Sequence, residues 1–292
     1  MTTGSDLNRV LWQERAAGDA SRAWESLTTE PEGLREEMSE DGLWLRPPGA
    51  ADDRVVLAIH GGGFVSGSIA THRRMFGHLA LASGLATLVV DYGLVPDFVY
   101  PSQIEQVSAI YRRLTGRLVA GRRQAAGQQP AEQHEVGGQQ VAGRRPTGRR
   151  VALVGDSCGG TLALEVALRE DVPETLVLFS PWVDFETSGA SYETGSDPFF
   201  TPELVRGLAK QYLAGATPGD LDLAALPPTY VQVGGEEALL DDARMLAARS
   251  AAVELDVFPG QLHTFQMAAG NSPVADEAIR KAGSWLRRTM AS

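Results

Sequence analysis

Val151-Ala152-Leu153-Val154-Gly155-Asp156-Ser157-Cys158-Gly159-Gly160-Thr161 decides the fold. Four aliphatic residues in a row read as a buried strand, and Thr161 to Leu168 has the periodicity of a helix. Between them stands G-x-S-x-G, so the motif sits in a strand–turn–helix, the setting that gives it chemical meaning. The tight turn holds Ser157 in a strained conformation with its hydroxyl exposed, and it aims the Cys158 N–H at a developing oxyanion. A chance match is easy in a chain with 32 glycines; the flanking strand and helix favour a nucleophile.

Outward from this elbow, apolar runs recur at Val55–Ile59, Leu85–Val90, Leu176–Phe179, Tyr230–Val233 and Val253–Val257. Helical patterns separate them at Ser102–Leu114, Leu239–Ala251 and, last, Pro273–Met290, where Ser272 can cap and Pro273 suits the first turn. Strands alternating with helices predict an α/β fold around a mostly parallel sheet covered on both faces. Met1 to Met38 is charged and helix-prone, with Trp12 and Trp24 as apolar anchors, and is expected to pack as an appendage before the first strand. The stretch 116–150, rich in Gly, Gln and Arg, has too few aliphatic residues to offset its ordering entropy, and reads as a mobile loop rather than a polyanion site.

The formal net charge of −11 argues against a nucleic-acid surface and an anionic membrane surface. No stretch approaches the roughly 18 apolar residues of a membrane span. The one cysteine excludes an intramolecular disulfide, and the polar N-terminus shows no secretory signal, so the expected setting is cytoplasmic. No metal-ligand spacing links the five histidines with Cys158, and no cofactor is expected. Oligomeric state is left open, a homodimer included.

Upstream of the elbow, the strand Val55–Ile59 runs into His60-Gly61-Gly62-Gly63-Phe64. Three glycines cost chain entropy and contribute no packing, so close backbone approach to a ligand is the physical reason to keep them. Gly62 and Gly63 are the candidate N–H donors to a tetrahedral intermediate, joining Cys158 in an oxyanion hole. A flexible surface turn is the bland reading. A phosphate loop is disfavoured, since neither G-x-x-x-x-G-K-[ST] nor a complete G-x-G-x-x-G with a ribose-binding acid is present.

With both motifs about a hundred residues apart, the chain resembles the bacterial hormone-sensitive-lipase family of α/β-hydrolases, in its esterase and lactone-hydrolase subgroup. Thr71-His72-Arg73-Arg74, Asp91 to Pro96, Ser180-Pro181-Trp182-Val183-Asp184, Val233 to Asp242 and Pro259 to Phe265 extend the likeness over most of the chain. The resemblance implies one α/β-hydrolase domain over 1–292: an eight-stranded, mostly parallel sheet with a helical cap drawn from 1–40 and 185–222. Ser157 matches the nucleophile and His263 the general base, last in the order Ser, acid, His that this fold uses. The acid belongs on the turn after Tyr230–Val233, where Glu236 and Glu237 both stand; aligning the Leu239-Leu240-Asp241-Asp242 tail with the family's run selects Glu237. Asp241 and Asp242 suit the first turn of the next helix. His60 corresponds to the family's loop-shaping histidine, while His72, His78 and His134 are read as surface or packing residues. Where the family commonly has alanine stands Cys158, and Gly93 replaces the family's arginine. Residues 215–226 are shorter than usual.

The expected activity is hydrolysis of small-molecule carboxyl esters or lactones through an acyl-enzyme. Its alternatives are natural-product tailoring with the same triad (deacetylation, acyl transfer or lactone formation) and a non-catalytic ligand-binding protein on the same scaffold. Phe64, Tyr192, Phe199, Phe200 and Tyr212 are the candidate pocket-lining residues, each equally suited to packing the cap.

Overall fold

Along β3 (Arg54–Ile59), Val55, Leu57 and Ile59 turn to one face and Val56 and Ala58 to the other, all fully buried. That two-residue alternation of apolar side chains is what a strand covered on both sides requires. A computed structural model of the protein describes residues 4–116, 148–170, 173–194 and 196–291. It places β3 inside an eight-stranded sheet of order β1-β2-β4-β3-β5-β6-β7-β8. β4 (Ala86–Val90), β3, β5 (Arg150–Asp156), β6 (Thr175–Phe179), β7 (Thr229–Gly234) and β8 (Val253–Phe258) run parallel. One face is covered by α3 (Ser102–Leu114), α4 (Cys158–Arg169) and α7 (Leu240–Arg249), the other by α1 (Gly4–Ala16), α2 (Ile69–Ser83) and α8 (Pro273–Ala291). Every residue of α4 from Cys158 to Ala167 is buried, Glu165 included, which pairs with Arg169 one turn on. Ser272 does cap α8, its hydroxyl accepting the Ala275 N–H at 3.5 Å.

Two strands precede the first one read from the sequence. β1 (Arg35–Ser39) and β2 (Gly42–Arg46) form an antiparallel hairpin whose second strand pairs with β4. The helix-prone appendage expected to reach Met38, and the cap segment expected to reach residue 40, therefore end earlier. β1 is Arg-Glu-Glu-Met-Ser and fully exposed, so it has no apolar alternation to betray it. Charge on such an edge discourages pairing with another chain.

Between β6 and β7 the chain leaves the sheet to form α5 (Ser191–Thr194) and α6 (Pro202–Leu213). Of the predicted loop 116–150, residues 117–147 lie outside the described residues, as does His134.

From β3 the chain first moves to β4 on one side, then returns to place β5 on the other. Ligand crevices in open α/β sheets form at such a reversal, beyond the carboxyl ends of the strands. Register brings Ile59 opposite Gly155, so the loop after β3 and the elbow after β5 emerge side by side.

Candidate active site

Ser157 holds φ 53° and ψ −123°, a sparsely populated positive-φ conformation that costs an L-residue about 1–3 kcal/mol and persists only when its surroundings enforce it. Its own N–H donates to Phe179 O at 2.9 Å, and its carbonyl accepts the Trp182 N–H at 3.1 Å. The turn is tight enough that a Cβ on Gly159 would stand 2.2 Å from Ile59 O, so only glycine fits. The first N–H groups of α4, Cys158 foremost, have no partner within the helix and carry the positive end of its dipole.

Three predicted residues from distant parts of the chain meet here. Ser157 Oγ lies 2.9 Å from His263 Nε2, and His263 Nδ1 lies 3.4 Å from Glu237 Oε1. All three are buried. The second carboxylate oxygen of Glu237 accepts from Ser180 Oγ and from the Gly234 N–H, both at 2.8 Å, so the buried charge is satisfied on both sides. Glu236 points the other way and pairs with Arg9 at 2.5 Å, half exposed. Asp241 and Asp242 occupy the first turn of α7 as expected. Asp242 is nevertheless buried, accepting the Val183 and Asp184 N–H groups at 2.7 and 2.8 Å, and burial pushes its carboxyl up to about 7.

The glycine loop lies against the elbow. Asp156 Oδ1 accepts the Gly61 N–H at 3.0 Å, and its other oxygen is 3.3 Å from His72 Nε2. Gly62 has φ 123°, and a Cβ there would strike Ser66 O at 2.2 Å. Cys158 Sγ accepts the Phe64 N–H at 3.3 Å and sits 3.4 Å from the Tyr92 hydroxyl, which also donates to His60 O at 2.8 Å. His60 stacks on Tyr92 with ring centres 4.4 Å apart. Burial, reinforced by the neighbouring His72, lowers the His60 imidazole to about 4, so it stays neutral near pH 7 and serves as a brace. Burial likewise raises the Cys158 thiol to about 11, leaving it protonated.

Ser157, His263, Gly62 and Gly63 open into a cavity of about 470 Å³. Of the five aromatic residues expected to line it, Phe199 and Phe200 do. Phe64, Tyr192 and Tyr212 do not. Phe64 turns beneath the glycine loop and stacks face to face on Tyr212, both fully buried in the core, and Tyr192 is buried beside α7. The reason is the orientation of α6: Val205, Ala209 and Tyr212 face the core, whereas Leu204 and Leu208 face the cavity. Trp12, Trp24 and Arg15 complete the wall from the N-terminal segment. The sequence had marked both tryptophans only as packing anchors, and nothing local distinguished Leu204 and Leu208 from their neighbours. Among the described residues, no group of three or more His, Cys, Asp or Glu is placed to hold a metal ion. No helix among them is long and apolar enough to cross a membrane.

A family model described as alpha/beta hydrolase fold matches residues 56–267. The chain is 33% identical over 262 residues to an acetyl-hydrolase of Streptomyces hygroscopicus, spanning 84% of this chain and 78% of that protein. It is 30% identical over 249 residues to an esterase of Acinetobacter venetianus, covering 79% and 73% of the two. The crystal structure of an esterase from the bacterial hormone-sensitive lipase family superposes with a TM-score of 0.81 at 33% identity, over 99% of this chain and all of the other. Strand order, elbow and these likenesses agree: the chain belongs to the α/β-hydrolase fold family, in its bacterial hormone-sensitive-lipase group.

Proposed function

We propose that the protein is a serine carboxyl-ester hydrolase in which Ser157 attacks, His263 shuttles the proton, and Glu237 orients the imidazole. The observation that carries this reading is the 2.9 Å contact between Ser157 Oγ and His263 Nε2 at the base of a cavity also lined by Gly62 and Gly63. With its Nδ1 proton directed at Glu237, the neutral imidazole presents a lone pair to the hydroxyl and takes its proton as Oγ bonds to the ester carbon. The carbonyl oxygen becomes an oxyanion, received by the N–H groups of Gly62, Gly63 and Cys158. Each such donor is worth roughly 3–4 kcal/mol in serine hydrolases. Collapse of the intermediate breaks the ester C–O bond, and His263 returns its proton to the departing alcohol. Water then repeats the sequence on the acyl-enzyme, releasing the acid and restoring Ser157.

The substrate reading is a small-molecule ester or lactone with a compact acyl group, supported by the acetyl-hydrolase named among the relatives and by the aromatic walls of the cavity. A cytoplasmic setting accords with a lone cysteine held as a buried free thiol. The test is a panel of p-nitrophenyl esters of rising chain length, with Ser157→Ala beside the wild type and fluorophosphonate labelling of both. Activity greatest on short acyl chains and lost together with labelling in Ser157→Ala is expected. Turnover by Ser157→Ala at the wild-type rate would overturn the proposal.

A further inference from the structure

The backbone carbonyl of His263 is held by side chains from the opposite end of the chain. Trp12 Nε1 donates to it at 2.9 Å and Asn8 Nδ2 at 3.1 Å. Both donors are buried, and their four-residue spacing puts them on one face of α1. A carbonyl oxygen has two lone pairs, so a pair of converging donors restrains the His263 peptide plane more tightly than one would. Arg9 beside them reaches the segments that lead into Glu237 and His263, pairing with Glu236 at 2.5 Å and donating to Gly260 O at 3.2 Å.

From this convergence we infer that Asn8 and Trp12 are positioning residues for His263, and that α1 thereby couples the substrate cavity to the alignment of the triad. The inference rests on the proposed hydrolase reading. The triad itself leaves work for such a tether. His263 Nδ1 stands 3.4 Å from Glu237, the long end of a hydrogen bond, so the carboxylate alone holds the ring loosely. The bond about which the ring turns starts at the Cα that the tethered peptide fixes. Trp12 also joins the two functions physically. While its N–H holds the carbonyl, its ring lies 5.3 Å from Phe199 and 4.9 Å from Phe200, and Phe200 in turn packs edge-on at 4.4 Å against the His263 imidazole. An acyl group seated against Trp12 and Phe200 presses on the residues that set the imidazole's place. Loosening α1 therefore degrades proton transfer even for a substrate too small to feel the cavity wall.

The test compares Trp12→Phe, which keeps an aromatic wall but removes the N–H, with Asn8→Ala, their double variant and the isosteric Asn8→Asp, which exchanges the donor for an acceptor. Glu14→Gln serves as a control: it breaks the Glu14–Arg22 pair on another part of α1 and touches nothing at His263. Kinetics are read on p-nitrophenyl acetate, with thermal midpoints for every variant. Displacing a reacting group by a fraction of an ångström to one ångström costs up to about a hundredfold, so each single variant should lose about tenfold in kcat and the double about a hundredfold. KM should stay within about twofold of wild type, since the ground-state contacts to acetate are unchanged, and the control should keep its kcat. Folded Trp12→Phe and Asn8→Asp proteins with wild-type kcat overturn the inference, as does a loss confined to KM or one equally large in Glu14→Gln. A wild type inactive on every ester, or an active Ser157→Ala, sinks the hydrolase reading instead, so the two failures are told apart.

Discussion

Replacing Glu237 by glutamine separates the two adjacent carboxylates by a tautomer argument. One oxygen of Glu237 is committed as an acceptor, taking hydrogen bonds from Ser180 Oγ and the Gly234 N–H at 2.8 Å each. In Glu237→Gln the amide oxygen must take that place, because an NH2 there would face the Gly234 donor. The amide NH2 then points at His263 Nδ1, where it donates to a lone pair. That favours the imidazole tautomer with its proton on Nε2, the nitrogen 2.9 Å from Ser157 Oγ, which can no longer accept the serine's proton. The equivalent carboxylate-to-amide exchange in serine proteases costs ~10⁴ in kcat. The 3.4 Å histidine–acid contact here is weaker than a short charge-assisted bond. A loss of ~10²–10³ in kcat is expected, about 2.7–4 kcal/mol at 1.36 kcal/mol per decade. Shape and most hydrogen bonds survive, so the thermal midpoint should move by only a few degrees. Glu236→Gln breaks a half-exposed pair with Arg9, worth about 0–1 kcal/mol and hence less than about fivefold in rate. The assay is steady-state hydrolysis of p-nitrophenyl acetate at saturating substrate, with circular dichroism for folding. If Glu237→Gln stays within tenfold of wild type while Glu236→Gln collapses, the acid has been assigned to the wrong residue.

Four further outcomes follow from contacts in and around the site. Cys158→Ala leaves the buried Phe64 N–H without its sulfur acceptor, a penalty of about 1–3 kcal/mol visible as a lower thermal midpoint, yet it keeps the backbone donor at 158 and so should retain most activity; abolished turnover would mean the thiol takes part. The same thiol, fully buried and raised to about 11, should resist a colourimetric thiol reagent at pH 7.5 until the protein is unfolded, and prompt labelling of native protein would contradict that burial. Asp242, with a folded value of about 7 against 3.8 for an ordinary aspartate, binds its proton more tightly when folded, so it contributes stability below pH 4 that declines as pH rises to about 7; Asp242→Asn should flatten the thermal-midpoint profile across pH 4–7, and an unchanged slope refutes the assignment. Phe200→Ala should shift acyl-chain preference, whereas Tyr212→Phe, which removes a buried hydroxyl lacking a hydrogen-bond partner among the described residues, should leave the preference intact; the reverse pattern would show that the wrong aromatic residues were assigned to the cavity.

What the sequence could reveal divides along a physical line. Ser157 and His263 could be singled out because the proposed chemistry restricts both the residue type and its setting: a strained hydroxyl needs a strand–glycine turn–helix, and the proposed base comes last in the chain. The choice between Glu236 and Glu237 lay beyond local pattern and needed an alignment with the family, because neighbours in a turn point to opposite sides. Which one goes inward depends on Gly234 and Ser180 offering donors to one of them. The cavity wall was harder still. The apolar stripe of α6 is broad enough to meet the core through Val205, Ala209 and Tyr212 and the cavity through Leu204 and Leu208, so its periodicity marks the inward side without saying which row receives substrate. Size then misleads: Tyr212, the bulkiest residue of α6, sits deepest, since a large ring gains most from complete burial, and the smaller Leu204 and Leu208 are left to the cavity. Asn8 and Trp12 show the furthest limit. Their target is a peptide carbonyl about 250 residues away, and a backbone oxygen has the same identity at every position. Only the fold singles out the carbonyl of residue 263, so contacts that tune a reaction through the main chain leave no motif, while those that act through a side chain do.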